Sequence, residues 1–492
     1  MNKFMNEHLN TRHSYIVALI ICLLYASPFV FSSIYYVDDT FRSMTGRNGW
    51  SQLGRPLSDW IFYAFSQSTS MVVDAGRLPL IISCLFMAHS ILHLSKTTFK
   101  ETTYITLIIC SLCYVTPFFV QNMAYTYDSL SMVMSLYFCI MGACICYQSQ
   151  KRWYIYSLLM TIASLCLYQT SIMAFPIILA SIYLYKKMKE NSVCKWVLFR
   201  GFAIFIVSMA LYITIIKKLT IKTNRGESIF STGDPASSLL KNVNLYFDLF
   251  NKSYGNLTNL IFVGILVATL ISLATYFMTH KGKEKAFLLR VTMTTLLVVM
   301  FAVSPLIPNV LLAESLILPR VLTAFGCSIF AFFLIIYTRF KSSYIVAFIM
   351  IMISVTTSFV VASTIKMQNE RDAKIADLIY LEISKDPILQ LSDTTFIGSM
   401  ADSRSTIVNI KSYPIIRYIS NKMYDWTTSM YLANIGLDKV NFSFARANDI
   451  KMAKKSSEAS NATIIKRKEF CIINNSMQNY VILHSNLSIC DD

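Results

Sequence analysis

The chain has 492 residues, of which 55% are hydrophobic and only 14% charged, with 44 lysines and arginines against 27 acids and a net charge of +17. A mean hydropathy of +0.51 excludes an ordinary soluble domain. The positive charge does not call for nucleic acid, because such a partner needs cations and aromatics gathered on one soluble face.

Apolar runs bounded by charge predict about eleven membrane spans of roughly 15 to 21 residues. In chain order they are Ser14 to Ile34, Leu78 to Leu94, Thr103 to Val120, Ser129 to Cys146, Tyr154 to Leu167, Ser171 to Tyr185, Gly201 to Ile216, Leu260 to Met278, Leu288 to Val303, Val321 to Tyr337 and Tyr344 to Ala362. The fifth and sixth also read as one broken or re-entrant element around Gln169. No small-residue cleavage site follows the first, so it is expected to stay uncleaved.

Lysine and arginine fall in alternate loops. They are Lys96 and Lys100, Lys151 and Arg152, Lys186, Lys187, Lys189 and Lys195, Lys281, Lys283 and Lys285, then Arg339 and Lys341. That bias predicts a cytoplasmic N-terminus and an external C-terminus. It divides the chain into a polytopic domain, residues 1–364, and an extramembrane domain, residues 365–492.

In the second domain, residues Glu370 to Ile383 show helical spacing, with Ile375, Leu378, Ile379 and Ile383 on one side. Thr394 to Ile397, Phe470 to Ile473 and Tyr480 to Leu483 read as short strands, the last two as a hairpin across Asn474 to Asn479. A small α/β domain is expected. Ten of twelve cysteines sit in or beside apolar spans, leaving Cys471 and Cys490 in the tail. Outside the membrane these two are the natural disulfide partners; in a cytoplasmic tail they would be free thiols.

Metal and nucleophile motifs are weak. His89 and His93 have the i, i+4 spacing of a metal pair, but no acid or cysteine stands near them, so a contact between helices is favoured. Cys110 and Cys113 form a C-x-x-C inside an apolar run, a poor place for redox work. No P-loop, G-x-G-x-x-G or G-x-S-x-G element occurs.

Chemistry-bearing residues gather instead at the external ends of the spans. Asp38 and Asp39 stand where the first span gives way to a polar loop that also holds Arg42, Arg47 and Arg55. They could be a solvated helix end, but two acids beside an apolar span are costly if they point inward, which favours a functional role. Arg55 also reads as a helix stop before Pro56, Asp128 as a helix cap that Ser129 would equally provide, and Gln169 as a packing amide. For Arg47 an ordinary interfacial charge is the better reading.

The loop DDTFRSMTGRNGWSQLGRPLSDW, the segment TPFFVQNMAYTYDSL and the LYQT element, spanning roughly Tyr35 to Thr170, resemble the serotype-converting O-antigen glucosyltransferases of phage-derived glucosylation clusters. The remainder agrees in hydropathy and in carrying an external tail. The resemblance implies a GT-C-like, α-helical polytopic fold in the bacterial inner membrane with a periplasmic C-terminal domain. It implies transfer of glucose from undecaprenyl-phosphate-glucose to a sugar of the O-antigen repeat of lipopolysaccharide. It also implies work alongside a flippase and a donor-synthesising glucosyltransferase.

Such a transfer needs a carboxylate to take the acceptor proton, and arginines to hold the departing lipid phosphate. Asp38 or Asp39 is the expected base, the other acid orienting the acceptor or binding a divalent cation; no cofactor is otherwise required. Arg42, Arg55 and Arg320 are the phosphate candidates. Asp128, Tyr168 and Gln169 are the candidates for sugar hydroxyls. Two rivals stand beside this reading. An O-antigen polymerase would want arginine-rich external loops, and the loop from Lys217 to Asn256 is mildly basic. A lipid-linked sugar flippase or other transporter would show internal repeats, and none is seen.

Overall fold

The computed structural model describes residues 5–32, 34–190, 196–220, 227–279, 284–459, 462–475 and 478–490. Lys195, Lys281 and Lys283 of the basic loops, and Ser476 and Met477 of the expected hairpin turn, lie outside the described residues.

The first helix, α1 (Thr11–Val30), starts where the Asn10 side chain accepts from the His13 amide at 2.8 Å. A short helix, α2 (Asp38–Thr45), carries the two acids and ends on Gly46 at φ 61°, the left-handed conformation that glycine adopts at little cost. Then come α3 (Pro56–Ser66) and α4 (Leu78–Thr98). A broken pair follows, α5 (Tyr104–Ser111) and α6 (Val120–Ala124). The bundle continues with α7 (Asp128–Gln148), α8 (Trp153–Leu167), α9 (Ala174–Glu190), α10 (Trp196–Leu211) and α11 (Pro235–Ser253). It closes with α12 (Asn256–Thr279), α13 (Glu284–Val303), α14 (Phe325–Arg339) and α15 (Tyr344–Lys385).

Eight helices among the described residues are long and apolar enough to cross a membrane, and α8 and α14 are shorter apolar helices. The expected count of eleven is therefore not reproduced. The third expected span, Thr103 to Val120, is where the difference is clearest. It starts on a capping box between Thr103 and Thr106, then leaves the helix after Ser111. Pro117 explains the break, since it has no N–H to give and disfavours helical backbone at Thr116. The segment still runs from one end of the bundle to the other, because Leu9 donates to the Thr102 carbonyl at 2.9 Å and the Thr126 amide reaches Asp39 at 2.7 Å.

Helix α7 packs against α4, α8 and α9, while α1 packs against α4 and α15. Small and hydroxyl side chains bring these helices close and bond across them, as in apolar surroundings generally. Ser135 Oγ donates to the Ser164 carbonyl and Ser157 Oγ to the Gly142 carbonyl, both at 2.9 Å. His89 Nδ1 and the Tyr137 hydroxyl, 3.1 Å apart, make the contact between helices expected for that histidine. Gly326 at the start of α14 lies so near the carbonyls of Leu112 and Cys113 that a methyl would collide with rigid backbone. Gly326→Ala is thus expected to cost about 1–3 kcal/mol, read as a lower unfolding temperature in detergent.

The C-terminal part holds a four-stranded sheet built from β1 (Asp393–Ile397), β2 (Thr463–Lys466), β3 (Phe470–Asn474) and β4 (Gln478–Leu483), in the order β1-β4-β3-β2. β1 runs parallel to β4, and the other pairs are antiparallel, β3 and β4 forming the expected hairpin. Helix α15 runs unbroken from the apolar bundle into this part, where Ile375, Ile379 and Ile383 pack with Phe396, Ile472 and Val481. Leu378, expected on that same face, is 54% exposed: the buried stripe follows the four-residue spacing, which leaves Leu378 to one side. Cys471 and Cys490 form a disulfide that ties β3 to the chain end.

Candidate functional site

At one end of the bundle α2, the loop after it, the break between α5 and α6, the start of α7 and the break between α8 and α9 meet. The acid pair divides its work by helix geometry. A step of one residue turns a helix by about 100°, so adjacent side chains cannot face the same neighbours.

Asp39 points inward and is fully buried. Its carboxylate accepts from the backbone amides of Tyr36 (3.1 Å), Thr126 (2.7 Å) and Tyr127 (3.2 Å). Burial pushes its pKa up to about 7, with the charge of Asp128 adding to the rise, while the three amides pull the other way. Val37, just before the pair, sits at φ 47°, a strained backbone for a β-branched residue that the surrounding bonds must hold.

Asp38 is half-buried and has no hydrogen-bond or ion-pair partner among the described residues. Its charge acts on Arg320, Tyr36 and Tyr125 across the same surface. Here, then, is a carboxylate left open beside a guanidinium.

Arg320 enters from Pro319–Val321, far along the chain, and is positioned by three fixed bonds. Its amide donates to Gln121 Oε1 at 2.9 Å, and its carbonyl accepts from Asn122 Nδ2 at 3.0 Å and the Tyr168 hydroxyl at 3.4 Å. Its guanidinium bonds the Tyr125 hydroxyl and stands over that ring. Gln121 Nε2 in turn donates to Tyr36 Oη at 3.0 Å, linking Arg320 back to the acid helix.

Arg55 lies over the Tyr168 ring at 4.4 Å and donates through Nε to Gln169 Oε1 at 3.1 Å. Gln169 Nε2 reaches the carbonyls of Leu53 and Gly54, both at 3.0 Å, and the Tyr212 hydroxyl at 2.8 Å. This amide therefore fastens the loop carrying Arg55 to the break before α9, a larger part than helix packing. Gln169→Ala would leave two carbonyls and a guanidinium short of partners, at about 1–3 kcal/mol. Faster limited proteolysis in the loop 46–55 is the expected sign. The expected helix stop at Pro56 is not what the structure has: Arg55 is the N-cap of α3 and Pro56 its first residue, where the missing N–H costs nothing, so Pro56 opens a helix here.

Arg42 and Asp128 form a third group. The Arg42 guanidinium lies 3.8 Å over the Trp50 ring and 3.7 Å from the Asp128 carboxylate, which also accepts from the Trp50 indole N–H. Arg42 Nε is buried and, among the described residues, has no bonding partner. Arg47 is exposed and stands apart from these contacts.

Sequence reading passed over the residues that frame this group. Asp59 accepts from the amides of Gly49, Trp50 and Ser51 and from the Ser51 hydroxyl, shaping the loop that presents Trp50. Arg77 bonds the Thr126 hydroxyl and the Ile34 carbonyl. An acid in the first turn of a helix right after a glycine-rich loop was the available signal for Asp59, and the family-like segment TPFFVQNMAYTYDSL for Gln121 and Tyr125; for Arg77 there was none. The helix Asp425–Asn434, here α16, packs on α2, and Asn421 Nδ2 donates to the Tyr35 carbonyl at 3.3 Å. The C-terminal part thus borders the acid helix.

Asp39 and Asp128 are each already engaged by N–H donors, which leaves Asp38, among the described residues, as the unengaged acid of the three. Asp39 faces three N–H donors, Asp128 is bonded by Trp50 and Arg42, and among the described residues no group of three or more His, Cys, Asp or Glu is placed around a common point.

Residues 27–327 match the Glucosyl transferase GtrII family. The chain belongs to that family. Every site residue named above except Asn421 and α16 lies within the GtrII region. A protein of Salmonella phage P22, described as an uncharacterized 55.3 kDa protein in the gtrB 5' region, is 34% identical over 190 residues. That match spans 38% of this chain and 39% of the phage protein. Glucosyl transfer is therefore the activity of the GtrII family to which these residues belong, and the helices they stand on include several fit to cross a membrane.

Proposed function

We propose that the protein moves glucose from undecaprenyl-phosphate-glucose to a sugar of the O-antigen repeat, on the periplasmic side of the bacterial inner membrane, with its N-terminus cytoplasmic. The observation that carries this reading is the contrast within the acid pair. Asp39 is consumed by backbone amides, whereas Asp38 stands unpartnered near Arg320. Asp38 is the base that takes the proton from the acceptor hydroxyl as its oxygen attacks the anomeric carbon. The glycosyl bond to the lipid phosphate breaks on the opposite side, and the electron pair leaves with the phosphate oxygen. Arg320 and Arg55 hold that phosphate, each already oriented by an aromatic ring and a hydrogen bond. Arg42 and Asp128 bind sugar hydroxyls, and Tyr168 and Gln169 position the two arginines.

Asp39 acts as the clamp that joins α2 to the start of α7. Residues 365–492 form a periplasmic domain beside the site, and the chain works with a flippase and a donor-synthesising glucosyltransferase. The phage relative from a gtrB region accords with a role in O-antigen glucosylation and serotype conversion.

The test is the sugar composition of O-antigen from cells with and without the chain. Additional branch glucose is expected. Altered polymer length without new glucose would replace this reading with a polymerase, and no change in the glycan would reject glucosyl transfer to O-antigen.

A further inference from the structure

Helices α1 and α4 run side by side, with the acid site near the end of α1 and the start of α4. At their opposite ends lies a groove of about 570 Å³. Its lining includes Thr11, Arg12 and Tyr15 from α1 and His89, His93 and Lys96 from α4. The surface of the groove is almost entirely apolar, so Arg12 and Lys96 line it with their stems and carry their charges at its rim; no carboxylate is among the lining residues. Lys96 Nζ donates to Thr11 Oγ1 at 2.8 Å, which holds the ammonium at the lip with two further protons to offer. The groove also receives the positive end of the α1 dipole. An anionic group fits at the cationic rim, above an apolar floor.

The surroundings say which kind. Along α4 the outward stripe that ends at His89 continues through Leu85 and Ile81, 42% and 40% exposed at four-residue spacing. On α1, Ile16 and Ile20 are exposed in the same manner. Apolar surface of this sort, leading away from a cationic groove, suits acyl chains beneath a phosphate. A free phosphate ion would make no use of it. We propose that the groove binds the phosphate of an anionic membrane phospholipid at the membrane face opposite the acids. This site is independent of the glucosyl transfer reading.

Full-length protein in neutral detergent, offered phosphatidylglycerol, phosphatidylcholine or inorganic phosphate, tests it by native mass spectrometry. Phosphatidylglycerol is expected to be retained in preference to phosphatidylcholine. Loss of each cation should weaken retention about fivefold, so R12Q/K96Q should lose roughly 30-fold. K151Q/R152Q removes two cations from a neighbouring loop and should retain the lipid as the unmodified protein does. Where the double variant yields no folded protein, R12Q alone reads the same quantity. Equal losses in both double variants would overturn the proposal in favour of diffuse surface charge. Undiminished retention in R12Q/K96Q, no preference between the two lipids, or displacement by inorganic phosphate as effective as by the lipid would overturn it as well.

Discussion

Asp38→Asn is expected to lower glucose incorporation by at least roughly a hundredfold while leaving thermal unfolding where it was, because a positioned base is typically worth about 10²–10⁴ in rate. Asparagine keeps the shape and volume of the side chain but cannot take up a proton at neutral pH. Among the described residues Asp38 makes no hydrogen bond whose loss would disturb the fold. Both halves of the result matter. Membranes supplied with lipid-linked glucose and O-antigen give the rate, and melting of the purified protein gives the stability. Full activity in Asp38→Asn would sink the assignment of the base, whereas lost activity with lost stability would demote Asp38 to a structural part.

Asp39→Ala should do the reverse, with stability failing first. Three buried amides lose their acceptor together, and each stranded donor costs about 1–3 kcal/mol, so at least about 3 kcal/mol is expected. Asp39→Asn, which keeps one acceptor oxygen, should lose less. The same carboxyl predicts a pH dependence whose sign follows from its raised pKa. Below about pH 4 both folded and unfolded chains hold this proton. As pH rises from about 4 to about 7, the unfolded carboxyl ionises while the folded one resists, so the folded state loses stability across this window and levels off above it. Subtracting the Asp39→Asn curve from the unmodified one isolates that slope. A difference curve that is flat, or rises with pH, would mean that Asp39 is not held in this state.

What could be read in the sequence is what local pattern controls. Apolar runs placed most of the helices, and short runs of β-branched and aromatic residues placed β1, β3 and β4, each within a residue or two. β2 escaped notice because it is a short edge strand with three exposed residues, including Lys466, and no buried face to impose a period. The broken third span was missed because counting apolar residues passes over the one residue, Pro117, that stops a helix. In the site, residue type marked the region well: Asp38, Asp39, Arg42, Arg55, Asp128, Tyr168, Gln169 and Arg320 are brought to one end of the bundle. Their separate duties were not legible. Asp38 and Asp39 differ only in which amides stand opposite them, and those amides are 87 and 88 residues further along the chain. Likewise Gln121 and Tyr125 look like any polar residues near a span end until Arg320 arrives beside them, nearly two hundred positions on.

Helix α15 carries one more consequence. Its 42 residues reach roughly 63 Å at 1.5 Å each, about twice the 30 Å of a bilayer's hydrocarbon. The surplus is a stiff mast on which the sheet is mounted by Ile375, Ile379 and Ile383. A mast transmits tilt. Any lean of the embedded half displaces the sheet sideways by a comparable distance, and α16, which rests on α2, moves with it. The height and attitude of the C-terminal part above the acids are thereby set by a continuous helix and by the contact of α16 with α2, rather than by a linker.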